Sequence, residues 1–334
     1  MWKKIVLILL LVLVVIAGGG FGYLWLRKPA QNPPAEIKVA MTPERIARGK
    51  FLFETIGDCG DCHSPRDFTR VDGPEIKSRR GAGVVLSDFL NGLPGTVVAP
   101  NLTPDPETGL GLWSDGEKIR AIRDGVDRNG RALFPLMPYT GFHSMSDIDV
   151  QALVAYLDSL PPIKNALPAT KLDFPVFLFI KFVPQPAGSV PEPDRGDPVK
   201  YGKYLVDVGG CADCHTPQNK GQPIPGLSFA GGLVFSTKAG TVVTANITPD
   251  RDTGIGKWSE AFFEKKFYDY KDYAASGPPP ASGPQAFTLM PWLSFSQLPR
   301  EDLSAIYAYL RTVPAVHNAV DTHPGAPKQA PAVP

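Results

Sequence analysis

Apolar residues are unbroken from Ile5 to Leu26, a run of 22 apolar or glycine positions. As a helix rising about 1.5 Å per residue, the run reaches about 33 Å, enough to cross a hydrocarbon core of about 30 Å. The pattern predicts an uncleaved membrane anchor over residues 1–28. Ala17 and the glycines after it would suit a cleaved signal peptide, the competing reading, but Phe21 to Leu26 stays apolar for longer than such a signal needs. Lys3 and Lys4 balance Arg27 and Lys28, so flanking charge does not orient the helix.

Beyond the anchor the apolar positions become periodic, and the period appears twice. Ile148, Ala152, Leu153, Tyr156 and Leu157 recur at helical spacing before Pro161, and Leu303, Ile306, Tyr307 and Leu310 do the same before Pro314. Each run closes a unit that opens on a capped helix. Thr42-Pro43 and Asp197-Pro198 pair a side-chain oxygen for an orphan amide with a proline whose own amide has no partner. Gly49 and Gly202 open gaps in these first helices, where an aromatic of the terminal helix fits. A third helix is signalled by the capping box Ser114 to Glu117, and Ser259 caps its counterpart without the matching Glu.

The predicted organisation is therefore an anchor (1–28), two helical units (42–161 and 197–314), a proline-rich linker (162–196) and a flexible tail (315–334). Internal repetition supports the two units. Gly95-Thr-Val-Val, Asn101-Leu-Thr-Pro-Asp and Thr108-Gly-Leu-Gly-Leu-Trp113-Ser return as Gly240-Thr-Val-Val, Asn246-Ile-Thr-Pro-Asp and Thr253-Gly-Ile-Gly-Lys-Trp258-Ser. The second unit carries an insertion, Tyr273 to Gln285, whose Pro, Gly, Ala and Ser predict a surface loop.

Cys-x-x-Cys-His occurs at Cys59 to His63 and at Cys211 to His215, and these four are all the cysteines of the chain. Two thiols on one turn of backbone can add to the two vinyl groups of a haem, and the adjacent histidine then meets the iron. A thioredoxin-type pair, a zinc site or a simple disulfide would not need that histidine, and no strand-helix-strand pattern surrounds either pair. Two covalent c-type haems are expected, on Cys59 and Cys62 and on Cys211 and Cys214, with His63 and His215 as axial ligands. A thioether as the sixth ligand favours ferrous iron and raises the potential. Met137 lies 74 residues after His63 and Met290 lies 75 after His215, both within Leu-Met-Pro. His143 is a rival close to Met137, but its counterpart in the second unit is Ser296, and that of Met145 is Leu298. Only the two Leu-Met-Pro methionines are equivalent.

The order of helix, CxxCH, long loop, methionine and terminal helix resembles that of class I cytochrome c domains. More narrowly, the segments NLTPDPETGLGLWSDGEKIRAIRDGV, LFPLMPYTGF and DIDVQALVAYLDSLP resemble the cytochrome c subunits of membrane-bound bacterial alcohol and gluconate dehydrogenases. The resemblance implies a mainly α fold of two tandem cytochrome c domains after a transmembrane helix. It implies haem domains on the periplasmic side of the cytoplasmic membrane, and redox partners such as a dehydrogenase or a respiratory complex. Those subunits typically carry three haems where this chain has motifs for two. The second unit also puts the aromatic, Lys-rich FFEKKFYDYKDY in place of the helix that follows Trp113. The resemblance further places the Asn-x-Thr loop beside the haem, where Asn101, Asn246, Trp113 and Trp258 could donate to propionates. Asn101 and Asn246 match a glycosylation acceptor as well, but a structural role is the better expectation in such a protein.

Composition changes little. With 34 Lys and Arg against 33 Asp and Glu, the net charge of +1 gives no steering toward nucleic acid. Within the linker, the apolar island Phe174 to Phe182 is too short to span a bilayer. It is read either as packing that fixes the units or as a patch for lipid or a partner. His317 and His323 in the tail are poor ligand candidates. Three functions remain open: a carrier of single electrons, a dihaem peroxidase with one open iron, and a cytochrome subunit that mainly anchors an enzyme. Equivalent Leu-Met-Pro motifs favour the carrier, and no Ser-His-Asp set or phosphate-binding loop suggests other catalysis.

Overall fold

The computed structural model describes residues 2–219, 221–237, 240–277 and 288–324. Helix α1 (Trp2–Leu26) is a single 25-residue helix with no buried residue, long and apolar enough to cross a membrane. The first unit contains α2 (Pro43–Glu54), α3 (Cys59–His63), α4 (Asp115–Asp124), α5 (Tyr139–Phe142) and α6 (Asp147–Ser159). A short helix α7 (Val176–Phe179) lies in the linker. The second unit contains α8 (Pro198–Val208), α9 (Cys211–His215), α10 (Glu260–Tyr268), α11 (Lys271–Ser276), α12 (Trp292–Phe295) and α13 (Arg300–Leu310). Small antiparallel ribbons complete the units, Val84–Val85 with Val98–Ala99 in the first and Gln218–Asn219 with Gln222–Pro223 and Val234–Ser236 with Thr241–Val243 in the second, while Gly95–Thr96 pairs with Lys171–Leu172 of the linker.

The predicted caps form. Thr42 accepts from the Arg45 amide at 3.3 Å, and Asp197 from Val199 and Lys200 at 3.1 Å each. Ser114 and Glu117 complete a reciprocal capping box. Ser259 accepts from Phe262, so FFEKKFYDYKDY continues as helix, burying Phe263 and Phe267 one turn apart. The surface-loop expectation for Tyr273 to Gln285 is corrected at its start, since α11 runs to Ser276. Positions 278–285 lie outside the described residues.

In each unit the first and last helices cross at glycine. A Cβ on Gly49 would collide with the Ala152 carbonyl and Tyr156, and one on Gly202 with the Ala305 carbonyl and Tyr309. Around these crossings one apolar core runs through both units without a break, from Leu52, Phe53 and Ile56 to Leu303, Ile306 and Leu310. Helix α8 completes it against the first unit. The Arg48 guanidinium makes a two-pronged contact with Asp149 at 2.8 and 2.7 Å, and the Tyr204 hydroxyl donates to the same carboxylate.

Two segments strap the first unit. The stretch after α1 lies along α4: the Val39 amide donates to Asp115 at 2.7 Å, and Gly116 packs under Ala35. Residues 187–190 return along the same side, with the Ala187 amide donating to Asp124 at 2.8 Å and the Asp147 amide to the Val190 carbonyl at 2.9 Å. The island at 174–182 packs its aromatic rings against the end of α1.

The flexible tail expected over 315–334 is corrected for its first half. The Val316 carbonyl accepts from Asn246 at 2.8 Å, the Asn318 amide donates to Thr253 at 2.9 Å, and the Val243 amide donates to the Thr322 carbonyl at 3.0 Å. The segment is the second unit's equivalent of 163–165, which is pinned in the same way in the first. Positions 325–334 lie outside the described residues.

Candidate haem sites

Each CxxCH motif is one short helix entered through a left-handed residue, Asp58 (φ 41°) before α3 and Gly210 (φ 61°) before α9. This turn aims the cysteine pair off the end of the preceding helix. The carbonyl of each motif histidine is then held at 2.7 Å, His63 by the Gly83 amide and His215 by the Gly231 amide. The rings are oriented as well. Nδ1 of His63 faces the Pro100 carbonyl at 2.9 Å and Nδ1 of His215 faces the Ala245 carbonyl at 2.7 Å. A carbonyl can only accept, so Nδ1 carries the proton and Nε2 keeps its lone pair for a metal. Burial lowers both imidazole pKa values, against the opposing effect of the carbonyl, which keeps the rings neutral.

Sequence reasoning missed these carbonyls. A signal was present, because each belongs to the residue before the repeated Asn-x-Thr.

The donor set fits two covalent haems. None of the four cysteines is in a disulfide, with Cys62 and Cys214 exposed and Cys59 and Cys211 half-buried against the core. Met137 and Met290 are half-buried at the edge of the same core and open the turns into α5 and α12. Met145 is fully buried as packing, as is its counterpart Leu298. His143 is half-buried at the end of α5, and its counterpart in the second unit is Ser296.

The four residues expected at the propionates divide. Asn101 is 2 % exposed and Asn246 5 %. The Asn101 amide donates to Thr108 at 3.1 Å and to the Ile163 carbonyl at 2.7 Å, while its oxygen accepts from the Thr103 amide and hydroxyl. Asn246 repeats every contact with Thr253, Val316 and Thr248. Both N–H groups are spent, so propionate contact from Asn101 and Asn246 is corrected to a structural role, and neither is open to glycosylation in the folded chain. By contrast, neither indole N–H of Trp113 and Trp258 has a hydrogen-bond partner among the described residues, and both rings pack at the core edge. Asn101→Ala should therefore cost about 3 kcal/mol of stability, through the groups left unsatisfied at Thr103 and Ile163. Its reduction potentials should stay unchanged, which chemical denaturation and a redox titration of one preparation would check.

The two sites meet across the unit interface in a pseudo-twofold exchange. Helix α12, just after Met290, sits on the turn before Cys59: the Ser294 hydroxyl donates to Asp58 at 2.7 Å and the Leu293 amide to Asp72 at 2.9 Å. Helix α5, just after Met137, sits on the turn before Cys211. There a Cβ on Gly141 would lie 2.5 Å from the Asp207 carbonyl, and one on Gly210 3.7 Å from the Pro138 side chain. Asp58, Asp61 and Asp72 gather around Arg66 at this junction. Burial, reinforced by Asp61, pushes Asp72 up to about 8.

Comparison with known proteins agrees with this construction. The family model described as cytochrome c matches twice, at residues 46–161 and 199–314. A protein from Cereibacter sphaeroides named diheme cytochrome c-type is 33% identical over 308 residues, covering 89% of this chain and 95% of that one. A nicotinate dehydrogenase polypeptide of Pseudomonas putida is 34% identical over 303 residues, with 83% of this chain covered but only 23% of that protein. The cytochrome c subunit of the quinone-dependent alcohol dehydrogenase of Gluconacetobacter polyoxogenes is 28% identical over 305 residues, covering 86% of this chain and 58% of that protein. The chain thus spans about a quarter and somewhat over half of the last two relatives.

Proposed function

This chain belongs to the cytochrome c family, and we propose that it is a membrane-anchored dihaem carrier that passes single electrons between a dehydrogenase, or another respiratory donor, and an acceptor. The observation that carries the proposal is the exchange at the interface, where each methionine segment packs on the other unit's CxxCH turn. That packing joins two equivalent sites through one continuous core.

A bound c-type haem supplies a one-electron ferric/ferrous couple. The chain's part is to hold that couple still. Cys59 and Cys62, and Cys211 and Cys214, would hold the two haems as thioethers. Nε2 of His63 and of His215 would ligate the metal, and the Nδ1 hydrogen bonds to backbone keep those rings from rotating. Met137 and Met290 would supply a soft thioether donor. Trp113 and Trp258 have indole N–H groups available for the propionates. The continuous core between α2, α6 and α8 keeps the distance between the sites constant, which lets an electron cross without domain motion.

A peroxidase needs one site unlike the other. Here the two share the histidine–carbonyl bond, the Asn-Thr clasp and the glycine crossing, which favours the carrier. We place the two units, 42–161 and 197–314, on the periplasmic side, with α1 as the anchor and a periplasmic dehydrogenase or respiratory complex as the redox partner. The supports are the length and apolarity of α1 and the relatives that are dehydrogenase subunits.

Reductive titration of the haem-loaded chain, followed by visible spectra with and without carbon monoxide, tests the proposal. The expected result is two electrons taken up per chain and no binding of the gas at either reduced site. Binding at one site in the unmodified protein would replace the carrier reading with chemistry at an open iron.

A further inference from the structure

Helix α1 is followed in space by the linker's aromatic segment, about 150 residues later in the chain. The Phe174 ring lies 6.5 Å from that of Phe21, and Phe177 meets Trp25 edge-on at 5.5 Å. The Lys181 ammonium donates to the carbonyls of Trp25 (2.8 Å) and Leu24 (3.2 Å), satisfying the open C-terminal end of α1. The Arg27 guanidinium stacks 4.2 Å from the centre of the Phe182 ring. Even with these contacts the segment remains apolar and largely uncovered: Phe174 is 68%, Phe179 55% and Phe182 41% exposed.

We propose that this uncovered aromatic face is seated in the interfacial layer of the bilayer that α1 crosses, so that the haem module stands on the lipid at a second point. The proposal rests on reading α1 as an anchor. Depth decides the occupant. Phe21 lies five residues before the end of α1, about 8 Å along the helix axis at 1.5 Å per residue. A segment touching Phe21 therefore reaches about 8 Å below the level at which α1 ends, within the roughly 5–10 Å to which interfacial segments sink. Its composition suits that layer, with aromatic rings on the outer face and the cations Arg27, Lys28 and Lys181 at the level of lipid phosphates. Above it, the straps at 29–41 and 187–190 grip α4 and α6 of the first unit. The footing is thus joined to the haem domains by packed chain on both sides, and the module has a fixed face toward the membrane.

The test uses the full, haem-loaded chain in nanodiscs of phosphatidylethanolamine and phosphatidylglycerol. The native cysteines are consumed as thioethers, so a single introduced cysteine is the sole thiol available for a benzophenone maleimide. Phe179→Cys reads the footing, Leu13→Cys reads the anchor, and an unchanged visible spectrum certifies the fold of each. After illumination, a mass increase of one phospholipid is expected from both positions. Adducts from position 13 with none from position 179 would overturn the footing, leave the anchor intact and turn this face over to a protein partner. Loss of adducts from position 13 would remove the anchor reading, and the footing with it.

Discussion

Met137→Ala should lower the reduction potential of the first site by more than about 59 mV, the one-electron equivalent of a tenfold loss in preference for ferrous iron. It should also make that site, and only that one, bind carbon monoxide when reduced. The reasoning runs through the neighbours of Met137. A thioether stabilises the lower oxidation state, and its removal leaves water or nothing in its place. Two other donors lie close in sequence, and neither is matched by a donor in the second unit. Met145 is fully buried in the core with Leu298 as its equivalent, so moving it to the iron would empty a core position. His143 gives way to Ser296 at the equivalent position of the second unit, so it is no part of the repeated donor set. His143→Ala should therefore leave both potentials in place. Met290→Ala should reproduce the effect at the second site, and the double variant should bind two equivalents of the gas. A lowered potential in His143→Ala, with none in Met137→Ala, would exchange the two assignments.

Much of this construction is legible in the chain because it repeats. A motif that occurs twice with its caps, its loop and its methionine at matched separations fixes each unit from local chemistry alone, and Thr42, Asp197, Ser114 and Ser259 all cap where they are expected. What escapes depends on residues far apart in sequence. Nothing local in Val316 or Asn318 says that Asn246 and Thr253 will bind them, and the tail consequently looks loose in the sequence. Equally, Asp58 shows no sign of meeting Ser294, 236 residues away. The Asn side chains are ambiguous for a related reason: an amide in a loop beside a cofactor has two uses, and only the nearby Thr hydroxyls and carbonyls decide between them. The helix over FFEKKFYDYKDY, by contrast, is visible locally. Phe263 and Phe267, at i and i+4, carry the helical period of α10 within a segment whose aromatic content masks it.

The second large effect concerns the two glycine crossings. Gly49→Val and Gly202→Val should each destabilise the haem-loaded protein by at least about 3 kcal/mol, at the upper end of the range for overpacked cores. The size follows from what the added atoms would meet. At most core positions an extra methyl displaces side chains that can change rotamer. Here the obstacle includes a backbone carbonyl, Ala152 facing Gly49 and Ala305 facing Gly202, with the Cβ of Tyr156 or Tyr309 on the other side. None of these atoms can rotate away, so the helices must separate. Separation of α2 from α6 breaks the core under Phe53, whose ring meets Tyr156 at 5.3 Å, and disturbs the Tyr156 hydroxyl bond to Glu54. For a unit of this size about 3 kcal/mol corresponds to a fall in melting temperature of roughly 10 °C or more. It should be visible in thermal melts followed through the haem absorbance. Gly18→Val in the unpacked part of α1, where an added Cβ meets nothing, serves as the comparison and should leave the melt unchanged. If Gly202→Val melted like the parent, the crossing would have room that the packed helices do not show. The tight glycine contact would then not be what closes the second unit around its haem.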